Sequence, residues 1–302
     1  MKDVHAMAPA SGSLDLRHVG IESVQKPLTV RRGDRVLTLT VTFSVTVDLP
    51  ASRKGSDLSR NAEVLAELVD RTATHPVPSL ESACSEIARE LLARHPYAKR
   101  SSVRARAVYF LPRGLSSGRS SLEDFGLLAE ADAERDGEGP PRVHRAVGAE
   151  AVGMTACPCA MESTRELLRA EYPDVPASVW ASVPVVTHNQ RNRTRLTFHL
   201  DDSTEVEADD IIGAIEAAES SPTYAILKRG DEARMVLQAH RAPKFVEDVL
   251  RDLLASLPSR FPGLPDGAEV TAESTSEESI HKYNVVASHR ATMGQLRQRP
   301  ND

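Results

Sequence analysis

The stretch GMTACPCAMES, residues 153 to 163, sets Cys157 and Cys159 on either side of Pro158. A thiolate is both a soft metal ligand and a nucleophile, so two thiols this close invite either chemistry. The spacing is not that of a Cys-x-x-Cys redox pair. With three cysteines in the whole chain, no second pair exists to complete a four-thiolate zinc site. Pro158 does not continue a helix, and residues two apart in an extended segment point the same way. The expectation is an extended run whose two sulfurs address one site, although two buried small apolar thiols fit the same spacing.

Any metal here must draw its other ligands from His, Asp and Glu. THNQR sets His188 beside Asn189, Gln190 and Arg191 just ahead of a strand; LKRGDE carries Lys228, Arg229, Asp231 and Glu232; ESTSEESIHKYN carries Glu273, Glu277, Glu278 and His281. One sulfur, one imidazole and one carboxylate, with a position left for water, make a catalytic rather than a structural zinc or iron set. Taken singly, Glu232 and Glu278 read as solvated charges. PKFVEDVLRDL, taken singly, reads as an amphipathic helix with Glu247 on its polar side.

These runs need a scaffold, and the apolar periodicity supplies one. From Leu37 to Leu49 apolar and polar residues alternate without a break, the mark of a strand with one buried face. HVGIESVQKPLTVRR precedes it through a turn at Gly33-Asp34, giving a hairpin. Helices are expected from Ser56 to Arg71 and from Ser79 to Arg94, ended by His95-Pro96, before SSVRARAVYFL and the stretch around Val147, Ala149 and Ala151 alternate again. Residues 113–141, rich in Gly, Ser, Asp and Glu, read as a flexible insertion without structure. The second half gives a strand at Arg193 to Leu200, a helix from Asp209, a helix opened by Pro243, and strands at GAEVTAEST and from Ile280 to Ser288. Both halves therefore read as helix pairs inserted into antiparallel sheet, β-β-α-α-β-β, in an α+β chain. The expected modules are 14–156 and 157–290, with flexible tails at 1–13 and 291–302.

The 302 residues, 40% hydrophobic and 26% charged, can form one large or two ordinary cores. No run approaches the length of a membrane span, and MKDVHAMAPASGS lacks the basic start and apolar run of a signal peptide, so a cytoplasmic protein with no membrane partner is expected. A formal charge of −6 argues against nucleic acid as a partner.

RKGSDLSRNAE, GMTACPCA, THNQR, LKRGDE, PKFVEDVLRD and EESIHKYN, in that order from about residue 50 to 284, together resemble the type IB GTP cyclohydrolases, with residues 113–141 outside the resemblance. The resemblance implies tandem tunnelling-fold (T-fold) modules whose antiparallel sheets form barrels in a homotetramer, with active sites at subunit contacts. It implies Cys157, His188 and Glu232 as ligands of one divalent metal per subunit, Fe(2+) favoured and Zn(2+) possible, with Asp231 as the substitute for Glu232. It gives Cys159 and His281 catalytic positions and Glu247 the guanine-anchoring carboxylate. Arg191, Lys228, Arg229, Lys54 and Arg60 stand in or beside the motifs as candidate cations for the triphosphate of GTP. GAEAVGMTACPCA and RKGSDLSRN look more like the archaeal branch, which serves tetrahydromethanopterin synthesis and yields 7,8-dihydroneopterin 2',3'-cyclic phosphate with release of formate. The other branch keeps the triphosphate and serves folate synthesis. A nitrile reductase with a cysteine nucleophile and a non-catalytic guanine-nucleotide or pterin binder are the competing readings.

Overall fold

A computed structural model describes residues 5–7, 14–33, 35–115, 117–137 and 139–298. The chain is α+β and forms two compact units, one from the described residues of Met1–Tyr109, Gly126–Gly148 and His199–Glu205, the other from those of Phe110–Phe125, Ala149–Phe198 and Val206–Asp302.

In the first unit, β1 (Leu16–Arg32) and β2 (Arg35–Leu49) pair antiparallel from Leu16↔Leu49 to Arg32↔Arg35, the expected hairpin. Asp34 of its turn lies outside the described residues. The alternation read in β2 points Val41, Phe43, Val45 and Val47 inward, each almost fully buried, and each such side chain contributes about 1.5–3 kcal/mol. Gly20 is required by close approach: a Cβ there would lie 1.9 Å from the Val45 carbonyl oxygen. Helices α1 (Leu58–Thr72) and α2 (Leu80–Arg94) follow, and Ser79 caps α2 by accepting from the Ser82 amide. Val64, Leu65 and Leu68 of α1 and Ala83, Cys84, Ile87 and Leu91 of α2 fill the core. Burial pushes the Cys84 thiol well above its usual range, so it serves as a small hydrophobe.

His95, just past α2, is buried with both ring nitrogens engaged. Its Nε2–H donates to Asn61 Oδ1 at 2.7 Å and its Nδ1 accepts from the Tyr97 hydroxyl at 3.0 Å. Burial, with Arg60 second, lowers its pKa below 6.5. The unfolded chain therefore takes up the proton first as pH falls, and the stability this ring contributes is present above about 6.5 and lost below it. Thermal unfolding followed by circular dichroism is expected to show a melting temperature that drops from pH 7 to 5, with a shallower drop in His95→Gln.

Strands β3 (Arg100–Gly114), β4 (Ser120–Glu134) and β5 (Arg142–Ala156) come next. β4 corrects the expectation that 113–141 lacks structure. Its buried face is Ser121, Glu123, Phe125, Leu127, Ala129, Ala131 and Ala133, a strict alternation built largely from small residues and hidden by the acidic ones between them.

The remaining elements are α3 (Pro158–Glu171), α4 (Ala177–Ser182), β6 (Asn189–Asp201), α5 (Ala208–Ala218), β7 (Ser221–Pro222), α6 (Arg229–Arg241), α7 (Val246–Arg260), β8 (Glu269–Ser276), β9 (Val285–Thr292) and α8 (Met293–Arg297). Strand neighbours follow the order β1-β2-β3-β4-β5-β6-β8-β9, with β7 set against β5. The second unit's core holds the buried side chains of Ile211 and Ile215 of α5, Val249, Leu253 and Leu257 of α7, and Leu196 and Phe198 of β6. Four helices there, α3, α4, α6 and α8, exceed the helix pair expected. The last strand starts at Val285 rather than Ile280. Residues 291–298, expected as tail, complete β9 and form α8, with Met293 and Leu296 buried and the Thr292 hydroxyl capping the Gln295 amide. No helix among the described residues is long and apolar enough to cross a membrane.

Candidate functional site

Cys157 and Pro158 do not continue an extended run; they start α3. Pro158 occupies the first helical position, where its missing N–H costs nothing and its fixed φ suits the helix. Cys157 is the N-cap, and its Sγ accepts from the Ala160 amide at 3.4 Å. The half-buried Cys157 thus stands at the positive end of the α3 dipole, while Cys159, inside the first turn, is exposed. Successive helical residues turn by about 100°, so the two sulfurs diverge instead of pointing the same way.

The THNQR run lies directly alongside. The Cys157 N–H donates to the His188 carbonyl at 3.1 Å, and the Thr187 hydroxyl donates to the Cys157 carbonyl at 2.8 Å. Side chains fix the His188 ring as well. Gln190 Nε2 donates to Thr155 Oγ1 at 3.0 Å, which turns Gln190 Oε1 toward His188 Nδ1 at 2.9 Å. An amide oxygen only accepts, so Nδ1 carries the ring proton and Nε2 keeps a lone pair for a metal. Glu278 Oε2 lies 3.8 Å from the same Nδ1, and its Oε1 accepts from the Ser276 hydroxyl at 2.8 Å. Sequence reasoning gave Gln190 and Glu278 no role in orienting this ring. The Gln two residues after His, at the start of a strand, was the available signal.

LKRGDE forms the start of α6. Asp231 and Glu232, adjacent in sequence, have opposite environments: Asp231 is buried and accepts from the Ser117 amide at 3.0 Å, whereas Glu232 is exposed. The carboxylate with freedom to reach a ligand is therefore Glu232. The same segment is held by Glu123 of β4, whose two oxygens lie 3.0 and 2.9 Å from the Ala225 amide, and Arg113 of β3 pairs with Glu216 of α5 at 2.9 Å. The stretch read as a mobile insertion thus braces the candidate site.

Lys228 and Arg229, at the N-cap and first position of α6, and Arg191 in β6 are exposed. Glu247 is exposed in the first turn of α7, beside Asp248, whose Oδ2 accepts from the Phe245 amide at 3.0 Å. His281 is exposed between β8 and β9 and stacks on Tyr283, ring centroids 4.9 Å apart. Arg60 belongs to the first unit, where it donates to the Arg94 carbonyl at 2.7 Å and pairs with Asp57 at 3.3 Å. Lys54, also in the first unit, donates its amide to the Met7 carbonyl at 2.7 Å.

A soft sulfur and an imidazole whose Nδ1 is held by Gln190 fit a borderline divalent ion. Among the described residues, no three His, Cys, Asp or Glu side chains are gathered closely enough to close such a set. The structure joins the segments of two expected ligands, Cys157 and His188, through the main chain.

The fold is an antiparallel α+β chain that sets a cysteine at a helix N-cap beside a histidine whose Nδ1 meets Gln190. The chain belongs to the type I GTP cyclohydrolase folE2 family, whose model matches residues 1–287, including the stretch 113–141 that the motif resemblance left out. It is 40% identical over 308 residues to GTP cyclohydrolase MptA of Methanosarcina mazei, covering 98% of this chain and 96% of that one. Identity to the MptA of Methanosarcina barkeri is 40% over 312 residues, covering 100% and 97%, and to that of Methanothermobacter thermautotrophicus 38% over 289 residues, covering 93% and 91%. Among solved structures, uricase from Arthrobacter globiformis is a distant likeness, with TM-score 0.49 and 8% identity over 95% of this chain and 94% of that one.

Proposed function

We propose that the chain opens the imidazole ring of the guanine of GTP, releases formate, and gives 7,8-dihydroneopterin 2',3'-cyclic phosphate for methanopterin synthesis, with diphosphate leaving as the cyclic ester closes. The observation that carries this reading is the Cys157–His188 pair, joined through the main chain at 3.1 Å, with His188 Nδ1 engaged by Gln190 so that Nε2 is the ring nitrogen available to a ligand. Full-length relatives named GTP cyclohydrolase MptA support the choice of substrate and branch.

Cys157, His188 and Glu232 would hold one divalent ion, ferrous iron or zinc. Bound there, the ion supplies Lewis-acid activation of the water that attacks the carbon between the two imidazole nitrogens of guanine. The protein's own groups do the rest. Gln190 and Glu278 keep the His188 ring in one tautomer and one orientation. His281 moves protons during attack and formate release, as an imidazole is suited to do. Cys159 holds the ring-opened intermediate or transfers a proton to it. Glu247 accepts from the amino group and ring N–H of guanine, a donor pair that adenine lacks. Arg191, Lys228, Arg229 and Arg60 neutralise the triphosphate. The active assembly in this reading is a homotetramer with sites at subunit contacts, and exposed Glu232 and Glu247 suit carboxylates that act across such contacts.

The test is anaerobic incubation of the full chain with GTP and ferrous iron or zinc, with the pterin identified by mass spectrometry. A cyclic phosphate is expected. An intact triphosphate would move the chain to the folate branch, and no pterin from folded protein would leave nucleotide binding without turnover.

A further inference from the structure

One buried ionisable group of the second unit plays no part in the chemistry above. Glu219, at the C-cap of α5, is 5% exposed. Asn192 Nδ2 of β6 lies 2.9 and 3.0 Å from its two carboxylate oxygens, and the Thr194 hydroxyl donates to Oε1 at 2.8 Å. Asn192 and Thr194 in turn meet the Ser274 hydroxyl of β8 at 2.8 and 2.9 Å. All four side chains are buried. From β5 the backbone presses in at Gly153, where a Cβ would stand 2.3 Å from Glu219 Cγ. The glycine that opens GMTACPCA is therefore the space that Glu219 occupies.

The charged group facing this carboxylate, among the described residues, is Lys244. Lys244 is itself a tie: its amide donates to the Ala156 carbonyl at 3.0 Å and its Nζ to the Ala218 carbonyl at 2.7 Å. It also pairs with Asp252 at 2.8 Å. Each segment meeting at this node leads within a few residues to a candidate site group: Gly153 and Ala156 to Cys157, Asn192 back to His188, Ser274 on to Ser276 and Glu278, and Lys244 to Glu247.

We propose that Glu219 is a positioning residue for the site: as an acceptor-only carboxylate in the space left by Gly153 of β5 it ties the end of α5 to Asn192 and Thr194 of β6, which in turn meet Ser274 of β8, and so holds Cys157 and His188 at their mutual spacing. A buried carboxylate costs desolvation that an apolar side chain would avoid, so a purely structural position here would be better filled by a hydrophobe. Burial raises Glu219 from 4.5 to about 7, against the lowering effect of Asn192, Thr194 and Lys244. As pH rises, the unfolded chain loses this proton first, so the group's contribution to stability is present below about 4.5 and lost as pH climbs through about 7. Above that pH the ionised carboxylate engages its donors most strongly.

The inference rests on the cyclohydrolase reading for its kinetic consequence but not for its structural one, and the experiment reads both. Glu219→Gln, which keeps the shape and removes the charge, and the milder Thr194→Val, which removes one donor, are compared with the wild-type full chain at pH 6 to 8.5. Formate release, melting temperature and amide hydrogen exchange are measured. At pH 8 Glu219→Gln is expected to melt no lower than wild type, yet to lose 10- to 100-fold in kcat, a typical cost of removing support behind ligating groups. Exchange should quicken at residues 153–160 and 188–194, Thr194→Val should show the same changes to a smaller degree, and the alkaline gain in rate near pH 7 should flatten in Glu219→Gln. Wild-type kcat and exchange in Glu219→Gln, or a loss of activity that merely follows a lowered melting temperature, would overturn the proposal. If wild type releases no formate, the cyclohydrolase reading fails, while the exchange comparison still decides whether Glu219 braces these segments.

Discussion

Cys157→Ala is expected to abolish metal retention and turnover together while leaving the fold in place, if Cys157 ligates the ion as proposed. The sulfur caps α3 only weakly, accepting from the Ala160 amide at 3.4 Å, so its loss costs at most about 1 kcal/mol of stability. The main-chain bond from Cys157 to the His188 carbonyl does not involve the side chain and persists. What disappears is the soft ligand. A metal Lewis acid contributes several kcal/mol to the transition state, so turnover falls by roughly a thousandfold or more. Metal analysis of the purified variant, beside its formate release and circular dichroism, checks this. A full metal complement with full activity in Cys157→Ala would remove Cys157 from the ligand set.

Glu247→Ala is expected to act on GTP binding and to spare the fold. Glu247 is exposed in the first turn of α7, and the capping of that helix rests on Asp248 instead, whose carboxylate accepts from the Phe245 amide. Two hydrogen bonds to a carboxylate contribute about 1.5–3 kcal/mol each, so KM for GTP rises at least about a hundredfold. The variant also discriminates less between GTP and ATP, since the donor pair that distinguishes guanine no longer meets an acceptor. Steady-state kinetics with both nucleotides measure this. An unchanged KM would mean that guanine is anchored elsewhere.

The parts of the fold visible in the sequence were those where one apolar stripe decides the outcome. The thirteen-residue alternation ending at Leu49 became β2, and the stripe Leu80, Ala83, Cys84, Ile87 and Leu91 became α2. The parts that stayed hidden lack such a stripe. Helix α6, RGDEARMVLQAHR, buries only Asp231 and Ala239 among its described residues, so its periodicity carries no signal. α3 buries only Met161 and begins at a proline, which marks a helix start as well as a helix stop. At the site, the sequence offered the reactive side chains but not what holds them. The ring orientation of His188 depends on Gln190, Thr155 and Glu278, and the Glu219 node joins residues far apart in the chain. Such partners are set by sheet register, which no local pattern encodes.

Formate counted against GTP consumed by the metal-loaded full chain under anaerobic conditions decides whether the chain is a cyclohydrolase. One formate for each GTP lost is the predicted result. GTP bound but unchanged, with no formate from either the iron- or the zinc-loaded protein, would contradict it.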